Sequence, residues 1–146
     1  MNLSIEPAPI VVGVDGSDPS IAALHKGAEL AASLQTQLLI ITCWTVPNFY
    51  NGTIEFEAAA FERDATQRQT AAIDTAFAGG CPVTAQKHVL RGRPAAELIR
   101  AAAQAQLLVL GTRGHGEFLN LILGSVSLEC IAHAECPVLT VRAPKR

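Results

Sequence analysis

Short apolar runs alternate with longer stretches of helical periodicity along the whole chain. Ile10–Val14 is a continuous, largely β-branched run closed by Asp15-Gly16-Ser17, which predicts a buried strand and a turn. Asp18-Pro19 has the form of an N-cap followed by proline at the first helical position, and Ile21, Leu24, Ala28 and Ala31 carry that helix to about Leu34. Leu38–Trp44 is a second buried strand, and Thr45–Thr53, with Pro47, Asn48, Asn51 and Gly52, is a loop. The Ala-, Glu- and Gln-rich stretch from about Glu55 to Ala78 predicts one long helix, stopped by Gly79-Gly80. Val83–Leu90 alternates imperfectly, as a strand nearer a sheet edge does, and Gly92-Arg93-Pro94 opens a helix with Glu97 in its first turn. Leu107–Leu110 is a fourth strand bounded by Gly111. A Gly-rich segment then runs to Gly124, a helix covers about Ser125–His133, and Pro137 precedes a last strand, Val138–Arg142.

Strands alternating with helices imply right-handed βαβ units and a parallel sheet covered on both faces. Five strands at this spacing predict one α/β domain with a doubly wound sheet. Its ligand cleft lies at the carboxyl ends of the strands, where the winding reverses. With the order 3-2-1-4-5, the first and fourth strands flank that point, and the turns Asp15–Ser17 and Gly111–Gly116 share one crevice. Residues 1–8 read as an N-terminal tail, 9–143 as the domain and 144–146 as a C-terminal tail.

Composition changes this picture mainly by exclusion. The chain has 146 residues, 49% hydrophobic and 16% charged, which suits a folded core and argues against disorder. A net charge of −2 is too acidic for a protein that neutralises many phosphates, so no nucleic-acid partner is expected. No apolar run reaches the roughly 18 residues of a membrane helix, and no basic start leads into an apolar stretch. No membrane association and a cytoplasmic location are therefore expected. Residues 1–73 carry three bases against eight acids and residues 74–146 eight against five. That asymmetry favours an anion over the second half, although chance scatter over a solvated surface would give the same counts. Cys43, Cys81, Cys130 and Cys136 form no Cys-x-x-Cys, and no histidine stands at zinc-finger distance from a close pair. They are expected as buried, reduced thiols behaving as small hydrophobes, with no metal site.

The stretch richest in candidate chemistry is Gly111–Ser127. Gly111 and Gly114 follow a strand end, where the backbone must approach something closely or adopt positive φ. Gly124-Ser125 opens a helix whose first amides, at Ser125, Val126 and Ser127, have no partner within the helix and stand at its positive dipole end. The Ser125 and Ser127 hydroxyls can add donors. Arg113 can add charge or point into water, and His115 has the same ambiguity. Phe118, Leu119, Leu121, Ile122 and Leu123 are too apolar for a free loop and are expected to pack against the body or a partner chain. There is no Gly-Lys-[Ser/Thr], and Gly114-His-Gly116 lacks the spacing of G-x-G-x-x-G, so neither a P-loop nor a dinucleotide fingerprint is present.

Gly111-x2-Gly114-x9-Gly124-Ser125 resembles the G-x2-G-x9-G-[S/T] motif of the ATP-binding universal stress proteins. The resemblance extends from Ile10-Val-Val-Gly-Val-Asp-Gly-Ser17 to Pro137-Val-Leu-Thr-Val141. It implies a 3-2-1-4-5 parallel sheet, a Rossmann-like fold, and an adenine nucleotide at the switch point. It further implies Asp15 near base and ribose, Cys43 offering backbone groups to the adenine edge, and Val14 and Leu110 flanking the nucleotide. Gly111 and Gly114 would approach ribose and phosphates, with Gly124, Ser125, Val126 and Ser127 holding the phosphates. It implies a homodimer paired through the last strand, Val138, Leu139, Thr140, Val141 and Arg142. Two positions depart from the family pattern: Gln106 stands where an Asp is common, and Arg93-Pro94 enters a helix where an acidic or hydroxyl N-cap is commoner.

Three functions follow as expectations. The leading one is an ATP-binding sensor or regulator in stress adaptation, with Mg²⁺, if present, held by phosphate oxygens and water, and with protein partners of unidentified kind. The second is an ATP-hydrolysing or adenylylating enzyme. Its only nearby candidate groups are His115, Asp15 and Arg113, none with an obvious partner, so hydrolysis is expected to be slow at most and no residue is assigned a catalytic role. The third is a dimeric interaction protein without nucleotide, which the intact glycine positions oppose. Asp15 itself has two readings, an Asx-turn residue or an acceptor for ribose hydroxyls.

Overall fold

The computed structural model describes residues 5–47, 55–113 and 123–144. Five strands, β1 (Ile10–Gly13), β2 (Leu38–Trp44), β3 (Ala85–Arg91), β4 (Leu107–Gly111) and β5 (Val138–Val141), alternate with four helices, α1 (Asp18–Ser33), α2 (Glu55–Ala76), α3 (Pro94–Ala101) and α4 (Ser125–His133). Every pairing is parallel and the order is β3-β2-β1-β4-β5, so the winding reverses between β1 and β4, as the family resemblance implies. Among the described residues, no helix is long and apolar enough to cross a membrane.

The period-2 alternation of the strands divides the core into two layers. Ile10, Val12, Val14, Leu38, Ile40 and Val109 face Ala23, Leu24, Ala28, Ala31, Ala72 and Ala76 of α1 and α2. Val11, Ile41, Leu108 and Leu110 face Ala95, Leu98, Ala102 and Cys130 on the side of α3 and α4. Fully burying a Val, Leu or Ile contributes about 1.5–3 kcal/mol, and β1 is buried along its whole length. The outer strands differ. Gln86, Lys87 and His88 of β3 are exposed, which accounts for its imperfect alternation, and all four residues of β5 are half-buried.

Several boundaries differ from expectation: β1 ends at Gly13 rather than Val14, β3 spans Ala85–Arg91 rather than Val83–Leu90, and β4 runs on to Gly111. Ser17, not Asp18, caps α1: its backbone is extended (φ −69°, ψ 158°) and its Oγ accepts from Ser20 N at 3.4 Å. Asp15 decides this, because its Oδ1 accepts from Ser17 N (2.9 Å) and Ser17 Oγ (2.5 Å) in an Asx turn through Gly16 at φ +92°. Asp18 then falls in the first helical turn, where its charge suits the dipole. The helix α2 ends at Ala76, and β5 ends at Val141, leaving the exposed Arg142 beyond the strand. Gln106 joins a helix-to-strand junction: its N donates to Pro9 O at 3.0 Å and its Nε2 to Ala8 O at 2.6 Å, binding the start of β4 to the approach of β1.

A Cβ on Gly27 of α1 would stand 2.6 Å from Val12 Cγ2 in the first core layer. Alanine gains up to about 1 kcal/mol of helix propensity over glycine, but overpacking costs about 1–3 kcal/mol. Gly27→Ala is therefore expected to lower the urea midpoint, by a net loss of about 1 kcal/mol. Gly79→Ala, where nothing lies within 4 Å, should leave the midpoint unchanged.

Candidate functional site

A cavity of about 420 Å³ opens at the carboxyl ends of β1, β2 and β4, between the first turns of α3 and α4. Val14, Asp15, Cys43, Leu110, Gly111, Arg113, Gly124, Ser125, Val126 and Ser127, separated by up to 113 positions in the chain, all line it. Gly114, His115 and the apolar stretch through Ile122 lie outside the described residues.

One end of the cavity is built for an anion. Gly124 caps α4 in an extended conformation (φ −78°, ψ 169°), and the helical ladder begins with Leu128 N donating to Gly124 O at 3.0 Å. The amides of Ser125, Val126 and Ser127 therefore have no acceptor within the helix. Their position is held by Gly124 N donating to Thr112 O at 2.7 Å and by Ser127 Oγ donating to Gly111 O at 2.8 Å. The second bond corrects an expectation: the one hydroxyl proton of the buried Ser127 is committed to a carbonyl, so Ser127 offers its amide and not its side chain. The Ser125 side chain is exposed, and Arg113, also exposed, is the only cation lining the cavity among the described residues.

The other end is apolar, formed by Ile41 and Cys43 of β2 and by Pro94 and Leu98 of α3. Sequence reasoning did not single out the α3 pair. The signal was present in the spacing of Ala95, Leu98 and Ala102, which places one apolar stripe of α3 against the sheet. Of the four cysteines only Cys130 is fully buried; Cys43, Cys81 and Cys136 are partly exposed, and all four are free. Cys43 is partly exposed because it lies at the end of β2, where the sheet is no longer covered and the cavity begins. Burial pushes its thiol up from 9.0 to about 11, with Glu97 and Cys130 adding to the effect. Burial, helped by Glu129 and Cys136, pushes Cys130 up to about 11 as well.

Asp15 and Gly111 each meet one of the readings open for them. Asp15 is the Asx-turn residue described above, and the same turn sets it in the cavity wall. Gly111 lacks a side chain because of α1: a Cβ there would meet Pro19 C and Cβ at 2.7 Å and Ser20 N at 2.9 Å. Two arginines tie the surroundings together without any local sequence signal. Arg68 of α2 donates from Nη1 to Asp15 O at 3.2 Å and from Nε to Asp64 Oδ2 at 3.0 Å. Arg93 occupies the N-cap of α3 with no capping bond of its own, and its Nη2 donates to both Glu129 oxygens of α4 at 2.7 and 2.9 Å. No group of three or more His, Cys, Asp or Glu that could hold a metal occurs among the described residues.

The model of the universal stress protein family matches residues 8–142. A universal stress protein of Thermus aquaticus is 35% identical over 135 residues, covering 91% of this chain and 97% of that protein. One of Mycobacterium tuberculosis (strain ATCC 25618 / H37Rv) is 33% identical over 143 residues, covering 97% of this chain but 50% of the relative, so the chain spans about half the length of that protein. The crystal structure of a universal stress protein in complex with cAMP is 27% identical, with a TM-score of 0.60 over 96% of this chain and 100% of that one.

The raised thiols set an alkaline limit. Unfolded cysteines titrate near 9.0, whereas Cys43 and Cys130 hold their protons to about 11 in the fold. Between these values the unfolded chain binds fewer protons than the folded one, so stability is intact below pH 9 and falls as pH rises toward 11. Urea unfolding at several pH values should show this decline, and Cys43→Ala should shallow it. Iodoacetamide should label Cys43 slowly at pH 8 and faster toward pH 11; fast labelling at pH 7 would contradict the assignment.

Proposed function

The chain belongs to the universal stress protein family, and on that footing we propose that it binds an adenine nucleotide in the 420 Å³ cavity and serves as a nucleotide-dependent sensor or regulator in stress adaptation. The observation that carries this reading is the polarity of the cavity, with three unpaired helix amides at one end and apolar walls at the other. The phosphates sit on the amides of Ser125, Val126 and Ser127 beside Gly124 and Arg113, where charge-assisted hydrogen bonds contribute about 1.5–3 kcal/mol each. The base lies between Val14, Cys43 and Leu110, with the backbone of Cys43 toward its edge, and Asp15 accepts from the ribose. Gly111 and Gly114 bring the backbone close to ribose and phosphates.

The motif from Gly111 to Ser125 favours ATP, with any Mg²⁺ held by phosphate oxygens and water. The cAMP-bound relative supports a second reading, in which the anion is a single cyclic phosphate. Hydrolysis is slow at most, because it needs a group free to position water, and the Oδ1 of Asp15 is engaged by Ser17. A homodimer forms by pairing β5 (Val138, Leu139, Thr140 and Val141, with Arg142 beyond it). This would cover an edge whose apolar residues are only half-buried.

Calorimetric titration with ATP, AMP, cAMP and adenosine tests the proposal. Ser125→Pro is the informative variant: proline is tolerated at the first helical position, and the extended Gly124 before it is compatible with proline. The substitution removes one amide donor while keeping α4, so ATP should bind about tenfold more weakly and adenosine equally well. Undiminished ATP affinity in that variant would discard the phosphate site. Failure of wild-type protein to bind any of the four would favour an interaction protein without nucleotide.

A further inference from the structure

A second cavity, of about 220 Å³, adjoins the first, and Cys43 and Pro94 line both. Its other walls are Trp44 and Thr45 from the end of β2 and Phe61, Asp64 and Arg68 from α2. The shared wall belongs to the apolar end of the main cavity, opposite the amides of α4. A nucleotide whose phosphates lie on α4 therefore turns its base toward this wall. The edge of adenine farthest from the glycosidic bond carries the exocyclic amine.

The lining of the side cavity is aromatic and electrically balanced. Trp44 is 9% exposed and covered by the Arg91 guanidinium at 5.4 Å from its ring. Arg68 is fixed by Asp64 on its own helix and by the Asp15 carbonyl across the cavity floor, so its planar guanidinium is held in place before any ligand arrives. The Asp64–Arg68 pair has no net charge and so does not call for a charged ligand group. Guanidinium planes and aromatic rings both stack on planar π-systems. An apolar cavity of roughly 150 Å³ holds a benzene ring, so 220 Å³ accommodates one aryl ring with its linker.

Resting on the nucleotide reading above, we propose that the side cavity extends the binding site to accept a planar, uncharged aryl substituent on the exocyclic amine of the adenine. The ring stacks among Phe61, Trp44 and the Arg68 guanidinium, and the small side chain of Cys43 leaves the passage to it open. The preferred ligand class then includes base-substituted adenine nucleotides as well as the parent compound.

The test compares ATP with ATP benzylated on the exocyclic amine, by calorimetry, on wild-type protein and Thr45→Trp. Thr45 is exposed, lines only the side cavity, and tolerates an indole that fills it. Wild-type protein should bind the benzylated nucleotide at least as tightly as ATP, and Thr45→Trp should weaken the benzylated nucleotide by about tenfold while ATP shifts by less than about twofold. Phe61→Ala should reduce the benzylated compound's affinity about fivefold through lost stacking. The extension is overturned if wild-type protein binds ATP but rejects the benzylated nucleotide, or if Thr45→Trp weakens both equally. An inability of wild-type protein to bind ATP at all overturns the nucleotide reading beneath it.

Discussion

Two hydrogen bonds hold the start of α4 against the end of β4, from Gly124 N to Thr112 O and from Ser127 Oγ to Gly111 O. Amide donors are useful only if their aim is fixed, and here the acceptors that fix it are backbone carbonyls continuous with the sheet. On its other side Gly111 is pressed by Pro19 and Ser20, the first turn of α1. That turn is itself set by Ser17 and Asp15. A contiguous chain of short contacts thus runs from one wall of the cavity to the other through the β1–β4 switch point, and the donor array inherits the rigidity of the core.

Much of this was legible in the sequence because the fold depends on periodicity and punctuation. The limits of β2 and α4 follow the apolar run Leu38–Trp44 and the Gly124–Ser125 step, and the strand order matches the expected 3-2-1-4-5. That strand ends and a helix start meet at the switch point was legible in the α/β pattern, while Val14, Cys43 and Leu110 came from the family resemblance. What escaped were choices decided by competition or distance. Ser17 and Asp18 are both good caps, and only the Asx turn at Asp15 settles which is used. Close approach at Gly111 was expected, but the neighbour that excludes its Cβ, Pro19, lies 92 positions earlier in the chain. The Arg68 bond to Asp15 spans 53 residues and leaves no local trace.

The cavity is lined by groups that the fold itself already constrains. Its only thiol is kept protonated by burial and by the neighbouring Glu97, which removes the thiolate that nucleophilic chemistry needs. Cys43 is better understood as a small side chain at a junction between two cavities, where a larger one would divide them. The acid of the β1 turn likewise has one oxygen, Oδ1, committed to shaping backbone.

Arg93 and Glu129 form an ion pair at the surface through both carboxylate oxygens. It joins α3 to α4 beside the cavity, yet Arg93 is 67% and Glu129 36% exposed at the side chain. Exposed pairs add little to global stability, and dissolved salt screens them over a Debye length of about 8 Å at physiological ionic strength. The sheet and its two core layers are insensitive to that screening, whereas this strut is not. High salt therefore loosens this surface link before it reaches the hydrogen bonds that fix the start of α4 against β4.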